Sequence, residues 1–312
     1  MWLHEIEWTL SVICTSLSIT CLSVRVLLQP FSYLLHTHPG TMQFCLCVSL
    51  LLAYSLFLVS QKAAAYSSFC WAISLLLHWA FLSSLVWIHA ITYDLWGRFR
   101  HGRILSSMRE RGSLKKVTIY CCLSPSLIVG TACIFDKFYQ SSSFSPMYGN
   151  GICWINQSNA LIVFFVGPAS FLCVTNLILI VLMFRDLHVH YKWSKFINSL
   201  SISSPVLSIS ICTKMTCLTG ATLLIGLLAG FVNDPFLWMA FTVINSSCGL
   251  LVGVTLMWNK RLWRSLALPL KKRTCVWTRG TSSRERRLHV NSVYTDTRSN
   301  YSSSKTQSTH HM

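Results

Sequence analysis

Seven apolar runs, each longer than about 18 residues, constrain this chain more than any other feature. They cover Trp8–Leu28, Met42–Ser60, Tyr66–Tyr93, Val117–Phe135, Asn159–Phe184, Met215–Asn233 and Pro235–Asn259, and the formal charge inside them is Arg25 alone. About 20 helical residues cross the ~30 Å hydrocarbon core of a bilayer. Lipid offers the backbone no hydrogen-bond partners, so a crossing segment is either a helix or part of a closed barrel. A barrel needs a two-residue alternation that these runs lack. The fold class that follows is an all-α membrane protein, a bundle of seven transmembrane helices. Arg25, near the end of its run, is expected to snorkel to the headgroups. Composition agrees: 53% of residues are apolar and 11% charged, against roughly a quarter charged in soluble domains.

The net charge of +17 is a topology signal before it is a partner signal. Of the 26 Lys and Arg residues, 24 fall in the intervals facing one side, and the other side holds Lys62 and Lys137. Without the C-terminal tail the ratio is still 12 to 2. The positive-inside rule puts that side in the cytosol and the N-terminus outside, in a multi-pass plasma-membrane protein. Residues 1–7 then form a short extracellular N-terminus, 8–259 the bundle, 260–270 a short amphipathic eighth helix beginning at Asn259-Lys260-Arg261, and 271–312 a disordered cytosolic tail. Basic residues that avoid the runs argue for anionic membrane lipids as partners and against nucleic acid. No signal peptide is evident, since Glu5 and Glu7 stand where a basic region would be. The fourteen cysteines have no zinc-like spacing, and no metal site, cofactor site or catalytic constellation is discernible, so an enzyme is not expected. Spans without carboxylates and without internal repeats also disfavour a transporter or channel.

Candidate sites lie at both ends of the bundle. Cys70 and Cys153 sit at the extracellular side, where a disulfide would tie the 136–158 loop over the helices; two unrelated thiols are the alternative. His78 and His89 share one face of the third run, as lining of a ligand cavity or as packed histidines bonded to a neighbouring helix. Trp79, Trp87 and Trp154 are pocket candidates or plain packing. Gly220 and Gly226 permit close helix approach, and Pro125, Pro168 and Pro235 bend or start helices. Asn156-Gln157-Ser158 is a glycosylation sequon, Cys275 a palmitoylation candidate, and Ser302 to Ser304 are candidate phosphorylation sites. Arg98, Arg100, Arg103, Arg109, Arg111, Lys115 and Lys116 crowd the second cytosolic loop, and Lys214 opens the sixth run.

The third run reads His78-Trp79-Ala80-Phe81-Leu82-Ser83-Ser84-Leu85-Val86-Trp87 and continues through Asp94-Leu95-Trp96-Gly97-Arg98-Phe99. With Cys153-Trp154-Ile155, and Gly167-Pro168 eight residues before Asn176, it resembles the secretin/adhesion-like (class B) G-protein-coupled receptors, and the methuselah-like branch in particular. The resemblance covers residues ~25 to 265. It implies a receptor for an unknown extracellular ligand that opens its cytosolic face to a heterotrimeric G protein, with Arg98, Arg100, Arg103 and Lys214 facing that partner. It also implies that Pro168, Asn176, Gly220, Gly226, Asn245 and Gly249 serve helix bending and activation. Leu223 stands where the family usually has Trp, and Cys248 where it usually has Gln. No large ectodomain or autoproteolysis motif precedes the first run. These departures motivate the alternative of a signalling-silent scaffold, decoy or truncated receptor product.

Overall fold

A computed structural model of the protein describes residues 2–29, 38–63, 66–100, 111–194, 203–232 and 234–257. The chain divides into the unit Met1–Leu262 and a second unit, Trp263–Met312, which is outside the described residues. So are the expected eighth helix at 260–270, the tail at 271–312, Arg103, Cys275 and Ser302 to Ser304.

Helices account for most of the described residues of the first unit: α1 (Trp2–Leu28), α2 (His38–Ala63), α3 (Ser67–Arg100), α4 (Arg111–Phe138), α5, α6 (Ser203–Val232) and α7 (Pro235–Met257). The fifth helix is composite, an α-turn at Ser158–Leu161, a π-helical stretch at Ile162–Val166 and an α-helix at Gly167–Ser194. All seven are long and apolar enough to cross a membrane. α3 is the central element, packed against α2, α4, α5 and α6, while α1 rests on α7 and α2. The core joins Leu22, Met42, Leu46, Tyr54, Val86, Trp87, Leu172 and Val252 from five helices.

Several expected limits change. α1 begins at Trp2, inside what reads as a short N-terminal lead. α3 runs on to Arg100 and α4 starts at Arg111, so Arg98, Arg100, Arg111, Lys115 and Lys116 are helical rather than part of a loop. α6 starts at Ser203, which puts Lys214 three turns inside it rather than at its head. The physical reason is common to all: hydropathy marks the part of a helix inside lipid, whereas the backbone ladder continues as long as polar side chains stay solvated. Arg25 is a second correction. It does not snorkel; it is 2% exposed, with its guanidinium on the Gln29 carboxamide, which in turn donates to Gly40 O at 2.9 Å. That turn of α1 faces α2, and the Gln29 contact holds the guanidinium against that helix.

The π-helical stretch has a local cause. Phe164 would ordinarily offer its carbonyl to the amide four residues on, but that residue is Pro168, which has no N–H and crowds the carbonyl with its ring. One wider turn relieves the crowding. The α1–α7 seam is opened in a related way. The Ser18 hydroxyl donates to Ser246 O at 2.6 Å and accepts from Leu250 N at 2.9 Å, inserting itself into the i→i−4 bond that would join those two groups. Tyr54 Oη donates to Asn245 O at 2.9 Å one residue earlier. Gly249 lets these groups in, because a Cβ there would stand 2.5 Å from the Tyr54 ring and 2.9 Å from Ser18 Cβ.

Candidate functional site: the two ends of α3

At one end of α3, Cys70 is joined to Cys153 by a disulfide with a Cα–Cα distance of 4.9 Å. This pins the 139–157 loop to the bundle. Asp136 Oδ2 accepts from Trp71 Nε1 at 3.0 Å and Oδ1 from the Tyr148 amide at 3.1 Å, while Lys137 Nζ lies 4.9 Å from the Trp71 ring centroid. Gly149 is required at the crossing: its φ is +74°, and a Cβ would stand 2.9 Å from the Trp71 amide nitrogen.

The pinned loop drives two aromatics between the helices. Tyr148 Oη is 2.7 Å from His78 Nδ1, and Trp154 packs edge-on against His78, Phe81 and Phe165 at 5.2–5.9 Å between centroids. His78 Nε2 is 3.1 Å from the Phe164 carbonyl, whose partner position four residues on is taken by Pro168. A carbonyl only accepts, so Nε2 carries the proton, and the neutral ring takes the Tyr148 O–H at Nδ1. Burial, with Asp136 close by, pushes the Tyr148 phenol well up, so it stays a donor at physiological pH. His78 thus clamps the loop to the π-helical turn of α5. About three turns farther along the same face of α3, His89 Nδ1 is 3.0 Å from Asn176 Oδ1 of α5. Both histidines are packed and bonded to neighbours.

Of the four pocket candidates, His78 and Trp154 meet. Trp79 does not join them: its Nε1 donates to Ser126 Oγ of α4 at 3.0 Å, because position 79 is one residue round the helix from 78. Trp87 is 3% exposed inside the main core. The sequon residue Asn156 is exposed on the loop, its Nδ2 donating to Asn150 O at 3.1 Å. Gly220 faces Cys173 of α5, and Gly226 faces the Phe241 ring of α7.

At the other end of α3 stands a group that the hydropathy reading left outside the span. Asp94 is 6% exposed and lies within the apolar span Ser67–Arg98, which corrects the expectation of spans without carboxylates. Arg98, four residues on, holds its Oδ2 through Nη2 at 2.6 Å and Nε at 2.9 Å. His38, at the start of α2, brings Nδ1 to 3.7 Å from the same oxygen and 3.5 Å from Arg98 Nη2. The i,i+4 spacing of Asp94 and Arg98 was the available signal, a carboxylate neutralised on its own helix face. Two residues on, Trp96 and Leu95 pack against Ile180 and Met183 of α5, and Arg100 lies over the Trp96 ring at 5.2 Å. This end of α3 grips α2 with Asp94 and α5 with Trp96. Lys214 is exposed on α6. Among the described residues no group of His, Cys, Asp and Glu is placed to hold a metal ion.

Seven spans, a disulfide-pinned loop on the third and the composite fifth helix frame the comparison with known proteins. The profile of the family called 7 transmembrane receptor (Secretin family) matches residues 7–255. The chain belongs to the secretin family of seven-transmembrane receptors. Mouse adhesion G protein-coupled receptor L1 is 30% identical over 263 residues, which cover 81% of this chain and 16% of that protein. Human adhesion G protein-coupled receptor L4 is 27% identical over 164 residues, 52% of this chain and 22% of the relative. The zebrafish L4 receptor is 26% identical over 176 residues. The chain therefore spans between about a sixth and a little over a fifth of the length of these relatives. It is a secretin-family, multi-pass membrane protein, and its family is one of receptors rather than enzymes.

Proposed function

We propose that this secretin-family chain is a plasma-membrane receptor that passes an extracellular signal to a heterotrimeric G protein by opening the Asp94 end of the bundle. The N-terminal end of α1 and the disulfide-pinned loop face outward, and the Asp94 end of the bundle faces the cytosol. The observation that carries the reading is the double grip of α3 at its basic end, with Asp94 on Arg98 and His38 of α2 and Trp96 on α5. A closed state needs contacts that an open state lacks, and a ligand shifts the balance only by binding the two differently. Arg98, Arg100 and Lys214 then face the partner, and anionic lipids gather on the same surface at ~1 kcal/mol per basic residue.

Second-messenger output in cells tests this. Asp94→Asn removes the charge that holds Arg98, so basal output at equal surface expression rises severalfold. Arg100→Glu with Lys214→Glu, which leaves the Asp94–Arg98 pair in place and reverses the docking charge, lowers it. No output from the wild-type chain or from either variant at normal surface expression overturns the receptor reading. A signalling-silent scaffold is the second reading, favoured by a specific observation: Cys248 turns its thiol onto its own helix, 3.2 Å from Ile244 O, where the family usually places a glutamine.

A further inference from the structure

A small cavity lies between α3, α5 and α6, away from both ends of α3. Its volume is about 10 Å³, and it is lined by Ile88, Leu172, Cys173, Asn176, Thr216 and Thr219 among others. The apolar lining comes from α3 and α5; α6 contributes hydroxyls. Thr216 is 1% exposed, and its Oγ1 makes no hydrogen bond among the described residues. Asn176, 4% exposed, uses Oδ1 toward His89, and its amide nitrogen makes no hydrogen bond to protein among the described residues. Thr219 Oγ1 donates to Met215 O at 3.0 Å and keeps its lone pairs. The Thr216 carbonyl accepts from Cys173 Sγ at 3.9 Å, so α5 and α6 touch at the cavity's edge.

A buried hydroxyl without a partner is costly, and such groups in proteins are met by an ordered water where the space and the polar partners allow it. Both conditions hold. The volume is that of about one water-sized sphere, and Asn176, Thr216 and Thr219 are among the residues that line it. The lining offers no carboxylate, so a cation has no charge to meet.

We infer that this cavity is a binding site for a single water molecule, bonded to Thr216 Oγ1 and the Asn176 amide. The water completes a polar chain across three helices, from Thr216 of α6 through Asn176 of α5 to His89 of α3.

The sign of one substitution decides the matter. Thr216→Val keeps the shape of the side chain and removes the hydroxyl. With water in place, that water loses a partner, and the thermal unfolding midpoint of the purified full-length chain falls by roughly 2–4 °C. In a dry cavity the same change removes an unpartnered polar group, and a midpoint that stays or rises overturns the inference. Thr216→Ser, which keeps the hydroxyl, retains a midpoint above that of Thr216→Val; the reverse order assigns the effect to the lost methyl and overturns it equally. Should Thr216→Val fail to fold, X-ray radiolysis of the wild-type chain in oxygen-18 water gives the answer. Radicals born at a bound water label Ile88 and Leu172 above Leu50, which is equally buried but off the cavity; equal labelling of all three overturns the site.

Discussion

His78 has both ring nitrogens committed, one to the loop through Tyr148 and one to the Phe164 carbonyl. Tyr148→Phe removes the donor and leaves a buried ring nitrogen unpaired, at a cost of about 1–3 kcal/mol. The expected result is a lower unfolding midpoint with an intact disulfide, read by thermal denaturation beside non-reducing mapping of Cys70 and Cys153. An unchanged midpoint would mean that the phenol hydroxyl contributes nothing at that contact. Arg25 illustrates the opposite sign. It is a buried guanidinium whose one described partner is a neutral amide, and its Nε has none. Replacing a buried charge by an apolar side chain of similar length is often neutral or stabilising. Arg25→Met is therefore expected to hold or raise the midpoint in the same assay, and a marked fall would show that the charge has a counter-group in the folded protein.

Each helix owes its existence to hydropathy and its contacts to details that hydropathy does not carry. The seven spans were legible because an apolar run of that length has few alternatives in a chain this poor in charge. Their ends were not, since Asp94 and Arg98 cancel each other one turn apart and allow α3 to continue buried past the point where the apolar run stops. The π-helical turn was legible only in pairs: Pro168 predicts a bend, but the consequence depends on Phe164 and on which side chain reaches its carbonyl. Trp79 and His78 are neighbours in sequence and face different helices, a distinction set by the rotation of α3 rather than by residue type. Gly249 shows how tight such settings are. The α1–α7 seam closes only because no Cβ stands between Tyr54 and Ser18. Gly249→Ala pushes a methyl to 2.5 Å from the Tyr54 ring and is expected to destabilise by about 1–3 kcal/mol through overpacking. Tyr54→Ala with Gly249→Ala should lose less than the sum of the two single losses, and a strictly additive double variant would locate the strain elsewhere.

Across the whole molecule, α3 is the beam to which both ends are tied, by a covalent bond at Cys70 and by the Asp94 and Trp96 grips at the far end. The disulfide separates its cysteines by 83 residues, which takes in nearly all of α3 and the whole of α4. Closing a loop of that length in the unfolded chain removes entropy worth about 4–5 kcal/mol in the chain-entropy description. The loop it holds also seats Tyr148 and Trp154 against His78, so losing the bond releases the aromatic clamp along with the backbone. Because a single bond is at stake, Cys70→Ser and Cys153→Ser are predicted to lose the same stability, and the double variant to lose no more than either. Thermal unfolding of the three variants beside the wild-type chain, each freshly purified in the same detergent, reads this directly. Losses in the double variant that equal the sum of the singles would mean that the two cysteines stabilise the bundle separately, and that the pinned loop is held by Asp136 and the aromatic contacts instead.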